Sequence, residues 1–212
     1  MKPLLLPYPQ KLALTGEIFS LPTAGLIALN VPHPAGQFFA AQQIQAALQT
    51  YAGINWSIAG GAVAAPLTIR MDDMLDRAES YRLVIGADGI ELVGYDTAGV
   101  FYGAMTLVQL IQTSGRELPT LQIEDWPDFA ARGVMLDISR DKVPTMETLY
   151  HLIDLLASWK INQFQLYTEH TFAYQKHRAV WAQASPITAE EILELDAYCR
   201  ARHIDLVPNQ NS

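Results

Sequence analysis

Residues 133–139 read Gly-Val-Met-Leu-Asp-Ile-Ser, an almost continuous apolar run that ends in polar residues. Such a run is typical of a strand that is buried on both faces of a parallel sheet. Pro144 and Thr145 open a predicted helix that extends through Lys160, because leucine and isoleucine recur there at spacings of three and four residues. Residues 162–168 alternate apolar and polar side chains, which predicts a second strand.

A second helix and a third strand are predicted further along the chain. Thr188 and Glu191 have the spacing of a capping box, which marks a helix start. This helix is predicted to end near His203, and the apolar residues 204–208 then supply the third strand. Strand, helix, strand, helix, strand is the pattern of a parallel α/β sheet.

The first half of the chain has a different pattern, in which short strands are interrupted by two helices. Strands are predicted over residues 11–15, 25–30, 55–59, 67–71, 80–85, 90–93 and 118–126, and helices over residues 35–52 and from Asp96 or Thr97 to about Thr113. Asp88-Gly89 lies between the predicted strands 80–85 and 90–93 and favours a hairpin of these two strands. We therefore expect an α+β domain with antiparallel strands over residues 1–126 and a second domain over residues 127–212, divided where Trp126-Pro127 breaks the extended run.

Composition excludes several classes of protein. Half of the residues are hydrophobic, which excludes a disordered chain. The net charge is −8, with no basic run, so we expect no nucleic-acid partner. A single cysteine, Cys199, excludes an internal disulfide and a cysteine metal cluster. We expect no membrane partner, since no apolar segment reaches the roughly 20 residues of a membrane span, and no signal peptide in residues 1–10, hence a cytoplasmic protein.

Polar residues follow each strand of the predicted parallel sheet, and ligands bind at this end of such strands. The three groups are Ser139-Arg140-Asp141, Tyr167-Thr168-Glu169-His170 and Asn209-Gln210-Asn211. Taken singly, each residue also suits a loop cap or a salt bridge. Taken together, they predict a site for a hydroxyl-rich ligand.

The remaining titratable residues have structural interpretations. Three pairs of adjacent carboxylates, Asp72-Asp73, Glu124-Asp125 and Glu190-Glu191, are interpreted as surface, domain-junction and helix-start residues. We expect His33, His151, His177 and His203 at the surface or in packing roles. No metal-ligand spacing or phosphate-binding glycine loop occurs, so the sequence predicts neither a metal nor a cofactor.

The polar strand ends belong to a wider resemblance. Residues 132–140, Arg-Gly-Val-Met-Leu-Asp-Ile-Ser-Arg, resemble the opening barrel strand of family 20 glycoside hydrolases, the β-N-acetylhexosaminidases. The small domain that precedes this barrel in the family resembles residues 81–83, 99–103 and 106–110, and its junction with the barrel resembles residues 125–129. Parts of the second and third barrel strands resemble residues 160–162 and 206–209. The resemblance covers roughly residues 75–212.

The resemblance implies an α+β amino-terminal domain followed by the first β/α units of a truncated (β/α)8 TIM barrel, with about three strands. It implies a glycoside hydrolase that removes terminal N-acetylhexosamines from glycans or glycoconjugates by substrate-assisted retaining hydrolysis. The catalytic Asp-Glu pair of the family follows the fourth barrel strand, which this chain does not reach. We therefore expect no catalytic residue within the chain and no activity from the chain alone.

Arg140 occupies the position of the arginine that holds sugar hydroxyls in the family. The alternative is a structural ion pair with Asp137 or Asp141. The residues expected to support Arg140 are Asp137, Tyr167, Glu169, His170, Asn209 and Asn211. The sequence departs from the family at His170, which stands where the common form has an aspartate. Two alternatives follow: Glu169 substitutes for that aspartate, or this branch of the family is arranged differently.

Two other functions remain open at this point. One is a non-catalytic carbohydrate-binding or interaction module, and the other is a neighbouring glycosidase family with a similar leading domain. Because the strand edges of a truncated barrel lack partners, the sequence also predicts a homo-oligomer.

Overall fold

The computed structural model describes residues 2–72, 75–140 and 142–211. They form two compact units, Met1–Asp128 and Phe129–Ser212, and the division falls two residues after the expected boundary. Each unit is built around its own sheet.

The first unit contains seven strands and two α-helices among its described residues: β1 (Lys11–Ser20), β2 (Leu26–Asn30), α1 (Phe38–Ala47), β3 (Ser57–Gly60), β4 (Leu67–Met71), β5 (Tyr81–Gly86), β6 (Gly89–Gly94), α2 (Thr97–Ser114) and β7 (Glu117–Asp125). A 3-10 turn, Pro34–Gln37, precedes α1, and a wider π turn, Leu48–Ala52, follows it. The strands lie in the order β1-β7-β5-β6-β4-β2-β3.

The sheet of the first unit is mixed: it contains the expected antiparallel strands together with parallel pairings that the sequence analysis did not predict. Strands β1, β7, β5 and β6 pair in antiparallel fashion, whereas β2 pairs in parallel with β3 and β4, and β4 pairs in parallel with β6. The chain between β2 and β3 includes α1, and a helical crossover of this kind joins parallel strands. The predicted hairpin is confirmed as β5-β6.

Helix α2 packs closely against this sheet. Asp96 caps the helix by accepting a hydrogen bond from the backbone N–H of Gly99 at 2.7 Å. A Cβ atom at Gly103 would lie 2.3 Å from Cδ1 of Leu92 and 2.9 Å from the ring of Tyr81, so only glycine allows this approach. The core of the unit therefore lies between α2 and the central strands.

One carboxylate pair of the first unit, Glu124-Asp125, has a structural role. Glu124 and Asp125 lie on strand β7 rather than in a loop. Glu124 pairs with Lys11 at 2.7 Å, and Asp125 is buried and accepts a hydrogen bond from the hydroxyl of Tyr81. Asp73 lies outside the described residues.

The second unit alternates strands and helices: β8 (Gly133–Asp137), α3 (Met146–Ser158), β9 (Gln163–Thr168), α4 (Arg178–Trp181), α5 (Ala189–Arg200) and β10 (Asp205–Gln210). Its three strands are parallel, in the order β10-β9-β8, which confirms the predicted strand and helix pattern. The short helix α4 was not expected from the sequence.

The predicted helix starts of the second unit are also confirmed. Thr145 caps α3, and Thr188 and Glu191 form both hydrogen bonds of the capping box at the start of α5. Phe164 is fully buried, whereas Tyr167, on the opposite face of β9, is partly exposed. The helices therefore leave one face of the sheet accessible, and the candidate site lies on this face.

No helix in the described ranges combines the length and the apolar character that a membrane crossing requires.

Candidate functional site

The carboxyl ends of the three parallel strands bring polar side chains into one row. The backbone register pairs Asp137 of β8 with Tyr167 of β9, and Tyr167 with Asn209 of β10. Residues that are paired across neighbouring strands project from the same face of a sheet. Asp137, Tyr167 and Asn209 therefore share the accessible face of the second unit.

Arg140, three residues after β8, lies between two carboxylates. Its Nη1 donates to Asp137, and its Nη2 donates to Glu169 at 3.2 Å. The guanidinium carbon also lies 5.5 Å from the centre of the Tyr167 ring. These two hydrogen bonds use two of the five N–H donors of an arginine, and the side chain is 61% exposed. The guanidinium is thus held in place and still accessible to a ligand.

Glu169 is itself held by two further side chains. The hydroxyl of Tyr167 donates to Oε1 of Glu169 at 2.7 Å, and Nδ2 of Asn211 lies 3.5 Å from the same oxygen. Asn211 Nδ2 also donates to the Tyr167 hydroxyl at 2.6 Å. All three strands of the unit therefore contribute to one network: Asp137, Arg140, Tyr167, Glu169 and Asn211, called here the Arg140 cluster.

Ser139 connects the backbone to this cluster. Its N–H donates to Oδ1 of Asp137 at 2.8 Å, and its hydroxyl accepts from the N–H of Glu169 at 2.7 Å. The residue is only 8% exposed. A small hydroxyl residue directly after an apolar run is the sequence signal for this connection.

The electrostatics keep both carboxylates of the cluster ionised. The backbone N–H of Ser139, and then Arg140, lower the pKa of Asp137. The Tyr167 hydroxyl, then Asn211 and Arg140, lower the pKa of Glu169. The hydrogen bond to Asp137 in turn raises the pKa of Arg140, so the guanidinium is charged under all ordinary conditions. The cluster is therefore an ion-pair network with fixed charges.

The structure places two of the expected residues outside this network. Asn209 shares the accessible face of the sheet, but its Nδ2 donates to Oε1 of Gln165 at 3.3 Å. Its side chain therefore points along the sheet, away from the carboxyl ends of the strands. His170 is exposed and lines a neighbouring cavity. Of the two alternative ion-pair partners of Arg140, Asp137 makes the pair and Asp141 lies outside the described residues.

Gln210 belongs to the third predicted polar group but was not among the residues expected to support Arg140. Its Oε1 accepts hydrogen bonds from the hydroxyls of Thr168, at 2.7 Å, and Tyr174. Alternation along β10 places it on the face opposite to Asn209, and the pairing of β10 with β9 places it beside Thr168. The sequence signal for these contacts of Gln210 was therefore its position in the alternation along β10, rather than its residue type.

The chemistry available to the Arg140 cluster is polar recognition. A guanidinium offers a planar fork of donors, and carboxylates accept from hydroxyl groups, so the pair suits a ligand with neighbouring hydroxyls. Within the described ranges, no group of three or more His, Cys, Asp or Glu side chains is arranged to hold a metal ion.

Comparison with known proteins identifies the class. The sequence model for glycosyl hydrolase family 20, domain 2, matches residues 2–126. A beta-hexosaminidase of Vibrio vulnificus is 31% identical over 115 residues, which cover 54% of this chain and 13% of that protein. A beta-hexosaminidase of Akkermansia muciniphila is 30% identical over 151 residues, covering 61% of this chain and 30% of that protein.

Solved structures give the same result for the fold. A chitobiase of Flavobacterium johnsoniae superposes with a TM-score of 0.82 and 28% identity, over 96% of this chain and 34% of the other. These relatives place the chain among the glycosyl hydrolases, and it belongs to glycosyl hydrolase family 20. The chain spans between 13% and 34% of the lengths of the three proteins.

Proposed function

We propose that this chain is the amino-terminal part of a glycoside hydrolase of the β-N-acetylhexosaminidase type, which removes terminal N-acetylhexosamines from glycans or glycoconjugates. In this proposal, residues 1–126 form the α+β domain that precedes the catalytic barrel. Strands β8, β9 and β10 with helices α3 and α5 are the first units of a (β/α)8 barrel. The barrel is completed by residues outside this chain.

The observation that carries the proposal is the position of Arg140. It lies three residues after β8, which the proposal takes as the first barrel strand, at the carboxyl end where ligands bind in such barrels, and two carboxylates hold it. In the proposal, the free donors of the guanidinium bind the hydroxyl groups of the terminal sugar. Asp137 and Glu169 orient the guanidinium, and Tyr167 and Asn211 orient Glu169.

The proposed reaction is retaining hydrolysis in which the substrate supplies the nucleophile. The acetamido oxygen of the terminal sugar attacks the anomeric carbon, and an acid protonates the oxygen of the leaving group. Water then opens the cyclic intermediate. The acid and the carboxylate that orients the acetamide lie outside these residues, so Arg140 serves binding and orientation and not the proton transfers.

The first experiment uses the full-length product of the reading frame that contains this chain. We expect this protein to cleave an aryl N-acetylglucosaminide, and we expect the 212-residue chain alone to be inactive. Arg140→Ala in the full-length protein removes charged hydrogen-bond donors to the substrate, each worth about 1.5–3 kcal/mol, so kcat/KM should fall by about 10- to 100-fold. Arg140→Lys keeps the charge but loses the fork of donors, so it should recover little of the activity.

Two results would contradict the proposal. One is a reading frame without an Asp-Glu pair after a fourth strand. The other is a full-length Arg140→Ala variant with wild-type kcat/KM. An exposed arginine on another face of the same unit, Arg200→Ala, is the matched control and should leave kcat/KM unchanged, because Arg200 pairs only with Asp196 on helix α5 in the described contacts.

One observation favours a second candidate, a non-catalytic carbohydrate-binding module. The Arg140 cluster is complete in its hydrogen bonds within this chain, and so does not need the rest of a barrel to form. Calorimetry with N-acetylglucosamine distinguishes the two candidates. A module binds the sugar as the isolated chain, whereas the incomplete barrel does not.

We further propose that the 212-residue chain self-associates. Strands β8 and β10 each have a partner on one side only among the described residues. An apolar cavity of about 480 Å³ beside β10 is lined by Phe172, Leu193 and Pro208, among others. Unpaired edges beside apolar surface promote association. Light scattering is expected to give a dimer or a larger species, and a monomer at high concentration would contradict this.

A further inference from the structure

The hydroxyl of Ser139 lies next to the Arg140 cluster, between the carboxyl ends of β8 and β9. Ser139 follows β8 by two residues and is buried. Its Oγ accepts a hydrogen bond from the backbone N–H of Glu169 at 2.7 Å. The same oxygen lies 3.4 Å from the carbonyl oxygen of Tyr167 and 3.4 Å from Oγ1 of Thr171. A hydroxyl has one proton and two lone pairs, so these three neighbours match its whole hydrogen-bonding capacity.

This hydroxyl links the two strands at the point where their backbone pairing ends. The last residues paired in register between β8 and β9 are Asp137 and Tyr167. One backbone hydrogen bond follows, from the N–H of Ile138 to the carbonyl of Tyr167 at 3.1 Å. Two residues after Tyr167, the N–H of Glu169 has the Ser139 hydroxyl as its acceptor in place of a backbone carbonyl. The side chain of Ser139 therefore holds the Glu169 backbone against the end of β8.

Ser139 acts on both of the carboxylates that contact Arg140, but through different groups. Its backbone N–H donates to Oδ1 of Asp137 at 2.8 Å, and the other oxygen of Asp137 accepts from the guanidinium. Its hydroxyl holds the backbone of Glu169, whose Oε1 accepts from the guanidinium at 3.2 Å. A substitution that changes only the side chain of Ser139 therefore removes the contact with Glu169 and leaves the contact with Asp137 in place.

We propose that Ser139 is a positioning residue for sugar binding, because its hydroxyl fixes the Glu169 backbone so that the Glu169 carboxylate meets the guanidinium of Arg140. The inference deepens the proposed function and rests on it for the effect on activity. Ser139 does not touch the substrate and takes no part in the proton transfers. It sets the direction in which the remaining donors of Arg140 point toward the hydroxyl groups of the terminal sugar.

The first measurement is an NMR titration of the carboxyl groups of the 212-residue chain carrying Ser139→Ala. Alanine is smaller than serine and introduces no clash, so the variant is expected to fold. Without the hydroxyl, the Glu169 carboxylate moves away from the Tyr167 hydroxyl and from Arg140, both of which lower its pKa. The pKa of Glu169 should therefore rise toward its usual value. The pKa of Asp137 should stay low, because the backbone N–H of Ser139 is the main cause of its lowering.

The second measurement is the hydrolysis of an aryl N-acetylglucosaminide by the full-length protein. A guanidinium that is less well oriented binds the sugar hydroxyls less well in both the ground state and the transition state, so Ser139→Ala should raise KM and leave kcat nearly unchanged. The loss of one net hydrogen bond corresponds to a roughly fivefold rise in KM. This effect is smaller than the fall in kcat/KM expected for Arg140→Ala.

Ile153→Val is the matched control for a loss of stability alone. Ile153 lies on helix α3, is fully buried and has no contact with the Arg140 cluster in the described hydrogen bonds. Removing one buried methyl group costs about as much stability as losing one hydrogen bond. The control should therefore change neither of the two pKa values nor KM.

The outcomes separate this inference from the proposed function. A rise in the pKa of Glu169 alone, together with a higher KM and an unaffected control, supports the inference. An unchanged pKa of Glu169, a rise in the pKa values of both carboxylates or a Ser139→Ala chain that does not fold overturns it, since the role of Ser139 is then structural. A wild-type KM for Ser139→Ala in an active full-length protein overturns it as well and leaves the proposed function standing. If the full-length protein cleaves no N-acetylglucosaminide, the proposed function fails and the role of Ser139 in sugar binding fails with it.

Discussion

Replacing Tyr81 by phenylalanine tests the polar network inside the first unit. The Tyr81 side chain is 2% exposed, and its hydroxyl lies 2.7 Å from Oγ1 of Thr106 and 2.9 Å from Oδ2 of Asp125. It thus connects strand β5, helix α2 and strand β7. Burial raises the pKa of Tyr81 well above its ordinary value, so the hydroxyl remains a donor.

The expected loss of stability depends on the hydrogen-bond donors that Asp125 keeps in the variant. A hydrogen bond to a charged group contributes about 1.5–3 kcal/mol to stability. Asp125, which is 7% exposed, keeps the backbone N–H of Gln10 at 3.1 Å as a second donor. We therefore expect Tyr81→Phe to lower the free energy of unfolding of the first unit by about 2 kcal/mol, and its Tm by roughly 5–10 °C.

Urea denaturation and thermal unfolding of the 212-residue chain, followed by circular dichroism, measure this loss. Tyr95→Phe is the control, because the Tyr95 side chain is 38% exposed and makes no hydrogen bond among the described contacts. A loss below about 0.5 kcal/mol, the usual effect of a surface substitution, would refute the reasoning. Such a small loss would mean that the buried Asp125 carboxylate does not depend on the Tyr81 hydroxyl for its hydrogen bonding.

Three further predictions concern the cluster and the packing. Tyr167→Phe removes the main donor to Glu169, so the pKa of Glu169, measured by NMR titration, should rise toward its usual value of about 4.3. The pKa of Glu169 is lower in the folded protein than in the unfolded chain, so its ionised carboxylate stabilises the fold above the unfolded pKa. This stabilisation is lost as the pH falls through the folded-state pKa, and the variant, whose folded-state pKa is higher, should lose it at a higher pH. Gly99→Ala would place a Cβ atom 2.1 Å from the Ser80 carbonyl oxygen and should cost about 1–3 kcal/mol, whereas Gly36→Ala, 3.8 Å from its nearest neighbour, should cost far less in the same unfolding assay. Cys199 is fully buried and burial raises its pKa to about 12, so a thiol reagent should label it only after unfolding; rapid labelling of the native chain would contradict this.

The sequence predicts the elements of this protein better than their pairing. Local signals place the caps of α2, α3 and α5 and the β5-β6 hairpin, because each depends on residues a few positions apart. Strand direction depends on connections instead. The parallel pairing of β2 with β3 arises from the crossover through α1, and a list of separate strands and helices does not contain that information.

The Arg140 cluster shows the same division between local and long-range information. The rule that ligands bind at the carboxyl ends of parallel strands places the polar residues of β8, β9 and β10 at one edge. It does not decide which of Asn209 and Asn211 reaches Glu169. Asn209 is paired in register with Tyr167 and its amide lies near Gln165, whereas Asn211, beyond the last paired residue, reaches both Tyr167 and Glu169.

The cluster also explains why an exposed side chain is a credible ligand-binding group. A free arginine loses rotamer freedom when it binds a ligand, and that loss weakens binding. The contacts of Arg140 with Asp137 and Glu169 impose this order during folding instead. A lysine at this position would act as a flexible point charge and could not contact both carboxylates and a pair of hydroxyls with one planar group. The geometry therefore depends on the shape of the guanidinium as well as on its charge.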